Sequence, residues 1–149
     1  MISDVLIDRA IIEKVSIFTK LSLTVETGGF LYGRVNPSWV YITDYSKPGP
    51  NAVQTSEGVT FDRQYIIAYT DMKRKSKEYV IGTWHTHPPD TSCYPSNRDI
   101  KTMKSFLSLS KGLPQVFLIT MLKKDEICIS FYCLDYMGLP KVIPNIKFV

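Results

Sequence analysis

Both histidines of this chain fall within three residues, in the stretch WHTHPPDTSCYPSNRD at 84–99. The segment YVIGTWHT at 79–86 predicts a strand, and a strand turns alternate side chains to the same face. His85 and His87 would therefore point the same way, so that their imidazoles could converge on one metal ion. A catalytic zinc site needs three protein ligands and an open position for water, and Asp99 is the candidate for the third ligand.

The segment Ser96-Asn97-Arg98-Asp99 has a second explanation. A serine followed three residues later by an acid is the pattern of a capping box, which begins a helix. Ser96 and Asp99 lie about one helical turn apart and share a face if a helix begins there. A single histidine near a strand end is also more often structural than a ligand. The residues alone leave both interpretations open, and the two are compatible because a helix start can also present a ligand.

Hydrolysis at such a site requires an acid that is not bound to the metal, to take a proton from water and deliver it to a leaving amine. Glu26 stands just before Gly28-Gly29, at the mouth of a predicted strand. Two glycines let the backbone approach another element closely, as a crowded site would need. From composition and spacing alone, however, an exposed acid in a helix-to-strand loop is the favoured interpretation of Glu26.

The remaining segments predict strands and helices that interleave along the chain. An amphipathic helix is predicted after Asp8, a plausible cap, and its apolar stripe comprises Ile11, Ile12, Val15, Phe18 and Leu21. Further helices are predicted over 62–77 and from about Ser96. Strands are predicted at 3–7, 26–35, 38–46, 79–86, 115–122 and 126–134, with a loop at 47–58 and an edge strand in the tail. This order indicates one α/β domain over 1–149, with a mixed, mostly antiparallel sheet flanked by helices.

Composition narrows the classes of protein that this chain could be. With 44 % hydrophobic residues and no apolar run near the ~20 residues of a membrane span, a globular protein without membrane partners is expected. We expect a cytoplasmic location, because no signal peptide is recognisable. Cys128 and Cys133 are interpreted as buried and Cys93 as a loop residue. The basic run at 73–77 lacks interleaved aromatic residues, which disfavours nucleic acid as a partner.

Taken together, these residues resemble the signature of the JAB/JAMM (MPN+) zinc metalloproteases. That signature is an upstream glutamate, then His-x-His-Pro, a short gap, and Ser-x-x-Asp. The chain offers Glu26, then His85-Thr86-His87-Pro88, then Ser96-Asn97-Arg98-Asp99, with a gap one residue longer than usual. The segments ETGGFLYG at 26–33, KPGPNA at 47–52 and GTWHTHP at 82–88 extend the resemblance, which covers residues 26–99.

The resemblance implies a JAB/MPN-like fold and a role for each residue of the motif. His85, His87 and Asp99 would hold Zn²⁺, with water as the fourth ligand. Glu26 would be the general base and then the acid, and Ser96 would donate a hydrogen bond to the oxyanion. Independently of the resemblance, strand alternation turns Trp84 away from the histidines and assigns it to the core.

The resemblance also implies an activity. Short bacterial members of the family suggest an isopeptidase that removes or processes a ubiquitin-like conjugated protein with an extended C-terminal tail, in a CBASS-like antiphage system. Such enzymes grip that tail by adding it as a strand beside the metal.

Three other classes of protein share part of this pattern or its chemistry. A non-catalytic MPN scaffold typically loses the histidines or the aspartate, all of which this chain keeps. A JAB-fold domain linked with DNA repair shares the motif, but the Trp-His-Thr-His strand disfavours it. A zinc nucleoside deaminase would need His-x-Glu and Pro-Cys-x-x-Cys, and neither pattern is present.

Overall fold

The computed structural model describes all 149 residues, which form a mixed eight-stranded sheet, a small separate hairpin and three helices. The helices are α1 (Arg9–Leu21), α2 (Arg63–Lys75) and α3 (Asn97–Leu109). The strands are β1 (Asp4–Ile7), β2 (Gly28–Val35), β3 (Trp39–Tyr45), β4 (Val53–Gln54), β5 (Val59–Thr60), β6 (Tyr79–Thr86), β7 (Val116–Lys123), β8 (Glu126–Leu134), β9 (Pro140–Val142) and β10 (Asn145–Phe148). None of the helices has the length and apolar character needed to cross a bilayer.

The sheet runs in the order β10-β1-β3-β2-β6-β7-β8-β9. Strand β1 pairs in parallel with β3 and β10, and β6 pairs in parallel with β7, while the other neighbours are antiparallel. The predicted α/β class with a mixed, mostly antiparallel sheet is therefore confirmed. The tail contributes a short strand to each edge of the sheet rather than to one edge.

Helices cover both faces of this sheet, because its central strands are apolar on both sides. Along β7, Leu118 packs with α1 in the larger core, whereas Phe117 and Ile119 pack with Met103 of α3. Trp84 is completely buried on the α1 face, where its indole N–H donates to the Ser46 carbonyl at 2.9 Å. The predicted assignment of Trp84 to the core is confirmed.

Two details of the predicted first helix are wrong. Asp8 occupies the N-cap position of α1, but its carboxylate makes no capping bond and instead accepts from the Tyr41 hydroxyl at 2.8 Å. Leu21 lies at the C-terminal end of α1 and is 77 % exposed, while Thr19 is buried and bonds with Thr120 across to β7. Near its C-terminal end, α1 thus contacts β7 through a hydroxyl pair, while Leu21 is exposed to solvent.

The region predicted as a loop at 47–58 contains the first strand of a short hairpin, whose second strand follows directly at Val59–Thr60. Strand β4 pairs with β5 through only two residue pairs, Val53 with Thr60 and Gln54 with Val59. A pattern of two residues per strand carries too little alternation to predict a strand. This hairpin lies beside the cavity described below.

The glycines of β2 allow the neighbouring chain to approach without space for a side chain. A Cβ added at Gly29 would lie 2.0 Å from the carbonyl oxygen of Ser46. This oxygen also accepts the bond from Trp84, so it has little freedom to move. The close approach expected for the glycine pair is therefore present.

We expect Gly29→Ala to lower the free energy of unfolding by about 1–3 kcal/mol, because the new methyl group overpacks a fixed backbone oxygen. Urea denaturation would measure this loss. Ser108→Ala, which shortens an exposed side chain of α3, is the control. Equal losses in the two variants would contradict the explanation.

Candidate metal centre

Strand β6 delivers both histidines to the same place. His85 lies opposite Gly28 of β2 and Ile119 of β7, and His87 follows directly after the strand ends. A Cβ at Gly28 would lie 2.3 Å from the Trp84 carbonyl oxygen and 2.9 Å from the Cβ of His85. Only glycine lets β2 pass so close to the first histidine.

The side chains of His85, His87 and Asp99 converge. The Nε2 of His85 lies 3.1 Å from one carboxylate oxygen of Asp99, and the Nε2 of His87 lies 2.9 Å from the other. The two Nε2 atoms are 3.1 Å apart, and the ligand atoms of the three residues all lie within 4.8 Å of one another. The structure thus brings together the three ligands that the sequence predicts.

The backbone of the loop after β6 sets the orientation of the second histidine. The Nδ1 of His87 donates to the carbonyl oxygen of Ser92 at 2.5 Å, since a carbonyl can only accept. When the ring is neutral, the proton on Nδ1 leaves the Nε2 lone pair directed at His85 and Asp99, as a second partner does for a metal-bound imidazole; when the ring is protonated, Nε2–H donates to Asp99 instead. Nitrogen and carboxylate lone pairs that converge in this way repel one another unless a proton or a cation lies between them.

This donor set fits a zinc ion. Two imidazole nitrogens and one carboxylate oxygen are ligands that zinc takes, and three protein ligands are the number found in catalytic sites with an open position. All three side chains are largely buried, and His87 is only 8 % exposed. The repulsion among the acceptors is what a divalent cation would relieve.

The start of α3 contributes the carboxylate through a capping box. The Ser96 hydroxyl accepts from the Asp99 N–H at 3.1 Å, and the Asp99 carboxylate accepts from the Ser96 N–H at 2.9 Å. The capping interpretation is thus confirmed, and the same carboxylate reaches both histidines. The capping role and a position beside both histidines thus coexist in one residue.

Glu26 is buried beside this cluster. It is only 6 % exposed, so the exposed loop acid favoured from spacing alone is wrong. Its N–H donates to the Thr55 carbonyl at 2.7 Å, which holds the residue against the β4–β5 hairpin. Its side chain lines one cavity together with His85 and Asp99, and a second cavity together with His87 and Ser96.

These two cavities differ in character. The inner one has a volume of about 350 Å³ and lies between the hairpin and α3. Aromatic side chains form much of its wall, namely Phe30, Phe61 and Phe106. The outer one, of about 560 Å³, is lined mostly by polar residues of the loop after β6 and by Glu57 of the hairpin. Glu26 and Arg98 line both cavities, so they mark the place where the two cavities meet.

The surroundings change the acidity of the clustered groups. Burial raises the pKa of Glu26, and the positive charges of His85 and His87 only partly oppose this. Burial also raises the pKa of Asp99, but hydrogen bonds from both histidines outweigh it and hold that pKa well below its usual range. Burial lowers the pKa of His87, yet its bonds to Asp99 and Ser92 leave the pKa raised above 6.5.

The cysteine of the motif loop is not part of the cluster. The thiol of Cys93 points to the Ile119 carbonyl at 3.4 Å, and burial raises its pKa to about 11. The prediction of a loop residue is therefore confirmed. Sequence reasoning missed Ser92, which acts through its backbone oxygen, and Arg98, whose place between two cavities depends on the unpredicted hairpin.

The raised pKa of His87 predicts that rising pH lowers the stability of the metal-free protein but strengthens zinc binding. In the metal-free protein, its raised pKa gives a stabilisation that is fully present below 6.5 and is lost as pH rises through the folded-state value. A ligand histidine must be neutral, so zinc binding strengthens over the same rise. We expect the increase in Tm caused by zinc to grow between about pH 6 and about pH 8. Differential scanning fluorimetry with His87→Gln as control would measure it; a zinc effect independent of pH would contradict it.

Comparison with known proteins identifies the family. A family model described as "Prokaryotic homologs of the JAB domain" matches residues 9–129. Protein DSY2949 from Desulfitobacterium hafniense has a similar solution structure, with a TM-score of 0.74 over 97 % of this chain and 92 % of that chain, at 18 % identity.

A "CD-NTase/cGAS isopeptidase" from Escherichia coli (strain TW11681) is 33 % identical over 84 residues, which are 53 % of this chain and 52 % of that relative. This chain thus spans about half the length of the curated relative. Because the family model covers most of the chain, including the histidines, the aspartate and Glu26, the chain belongs to the prokaryotic homologs of the JAB domain.

Proposed function

We propose that this protein is a zinc-dependent isopeptidase that removes or processes a conjugated, ubiquitin-like protein. One observation carries the proposal: two histidines and an aspartate converge at a cavity that also buries an acid, Glu26, outside the ligand group. His85, His87 and Asp99 would hold the ion. When bound, zinc acidifies a water molecule and polarises the carbonyl group of the substrate.

Glu26 would transfer the proton. In this scheme the Glu26 carboxylate takes a proton from water as the water oxygen bonds to the carbonyl carbon. It then delivers that proton to the nitrogen as the C–N bond breaks, leaving a carboxylate and a free amine. Burial supports this role, because a carboxyl whose pKa is raised is a stronger base than an exposed one.

Ser96 would stabilise the oxyanion that develops on the carbonyl oxygen. Its hydroxyl oxygen already accepts from the Asp99 N–H, which leaves the hydroxyl hydrogen free to donate. The capping box fixes the serine at the start of α3, next to the ligand carboxylate. Such preorganised donors act without reorientation during the reaction.

The substrate would present an extended C-terminal tail to the β4–β5 hairpin. Residues Gly58–Phe61, which include β5, line the inner cavity together with His85 and Asp99. A peptide added along such a strand gains main-chain hydrogen bonds and arrives beside the metal centre. The leaving group would then occupy the outer, polar cavity.

The target would be of the class that the relative's name states. That relative is called a CD-NTase/cGAS isopeptidase. We propose that this chain likewise acts on a conjugate of a nucleotidyltransferase of that class, in the cytoplasm, as part of a CBASS-like antiphage system. Identification of conjugation-enzyme genes beside its own gene would support this assignment.

We expect purified protein to bind about one zinc ion per chain, as a single three-ligand site predicts. Mass spectrometry of metal content after dialysis would measure the ratio. Asp99→Asn removes the charged ligand and should reduce the content strongly, whereas Glu57→Gln alters an exposed acid outside the ligand group and should not. Equal zinc content in all three proteins would contradict the assigned ligands.

Glu26→Gln should keep the zinc and lower kcat by at least about 100-fold, because general acid–base transfer contributes on that scale. The assay would follow cleavage of a fusion that joins the C-terminal tail of the candidate conjugated protein to a reporter domain. Glu13→Gln, which makes the same change at an exposed acid of α1, is the matched control. Full activity in Glu26→Gln would refute both the assigned base and the mechanism.

A further inference from the structure

Arg98 connects the β4–β5 hairpin with the helix that bears the metal ligand Asp99. We propose that it is a positioning residue that clamps the hairpin against α3, so that a substrate tail paired with β5 lies at a fixed distance from the metal centre. This inference rests on the proposed function for its consequence in catalysis. The clamp itself is a property of the protein without substrate.

The contact is between a planar guanidinium and a residue with no side chain. Gly58 is buried, and a Cβ added there would lie 2.8 Å from Cζ, 3.0 Å from Nη1 and 3.1 Å from Nε of Arg98. Three guanidinium atoms at nearly equal distances mean that the flat face of the group lies on the Gly58 backbone. Any larger residue at position 58 would push the guanidinium away.

The hairpin needs such an anchor because it is weak by itself. It has only two residue pairs, and isolated two-stranded hairpins are at best marginally stable in water. Its other polar anchors are on the β4 side: Thr55 accepts from the Glu26 N–H at 2.7 Å, and Gln54 donates to the Thr27 hydroxyl at 3.1 Å. Arg98 instead holds the turn that leads into β5, the strand beside the inner cavity.

The helical turn that carries Arg98 is fixed in place. Arg98 lies in the first turn of α3, between Ser96 and Asp99, whose capping box fixes that turn. The same turn therefore carries a metal ligand, the proposed oxyanion donor and the clamp. A displacement of the hairpin relative to this turn would move a bound tail away from the ligands without altering the ligands themselves.

This arrangement predicts a specific kinetic signature. Loss of the clamp should raise KM by about tenfold and change kcat by less than about threefold, because it removes binding of the tail and leaves the reacting groups in place. Arg98→Ala and Gly58→Ala each disrupt the same contact by changing one of its two partners, so both variants should show the rise in KM. The double variant should be no worse than Arg98→Ala alone, as expected for two changes to one interaction.

Hydrogen exchange followed by mass spectrometry tests the clamp without any substrate. We expect the amides of residues 53–60 to exchange at least about tenfold faster in Arg98→Ala and Gly58→Ala, because the hairpin opens locally, while those of β6 stay protected. Arg98→Lys keeps the charge but lacks the planar face, and should resemble Arg98→Ala. Lys101→Ala, which removes an exposed cation from the next turn of α3, should match the wild type.

The outcomes separate this inference from the proposed function. Unchanged exchange at 53–60 in Arg98→Ala would overturn the clamp, even if the wild-type protein cleaves its substrate. Faster exchange would support the clamp, even if no conjugate is ever cleaved. Where cleavage is measured, a fall in kcat with unchanged KM in Arg98→Ala and Gly58→Ala would overturn the positioning role. Exchange as slow in Arg98→Lys as in the wild type would show that charge alone holds the hairpin, which overturns the stacking contact.

Discussion

The convergence of three electron-pair donors at the end of β6 is the constraint on which the rest of the site depends. Two imidazole nitrogens and a carboxylate lie about 3 Å apart in a place where water has little access. Such a cluster is unfavourable unless something positive lies within it. Hydrogen bonds fix the orientation of two of these side chains. His87 is held by the Ser92 carbonyl, and Asp99 is held by the capping box.

Close packing of β2 against β6 brings the fourth functional group to the cluster. Gly28 lets β2 run directly beside His85, and the chain just before it carries Glu26 into the same cavity. The absence of side chains at Gly28 and Gly29 is therefore as important to the site as the acid itself. A residue with a Cβ at either position would separate the strands and draw the carboxyl away from the ligands.

Much of this could be predicted from the sequence, because the relevant signals are local. The alternation in 79–86 predicts strand β6, and with it the shared face of the histidines; the serine and acid of 96–99 predict the start of α3. Burial of Glu26 could not be predicted from spacing, because it depends on which strand lies beside β2. The β4–β5 hairpin and the contact of Arg98 with Gly58 were likewise beyond reach, since two-residue strands leave no periodic pattern and the contact joins segments 40 residues apart. Leu21 has the right spacing for the apolar stripe, but it is the last residue of α1 and is exposed, so a regular pattern was present without the burial that it predicted.

The capping bonds of Asp99 have a consequence for the proposed binding of a metal ion. Because the capping box holds this carboxylate at the helix start, the position of Asp99 is set when α3 forms. Metal capture then costs little conformational entropy, unlike in small domains that stay unfolded until their ion arrives. A newly synthesised copy would thus fold before an ion arrives, and a bound ion would then add stability to a structure that already exists.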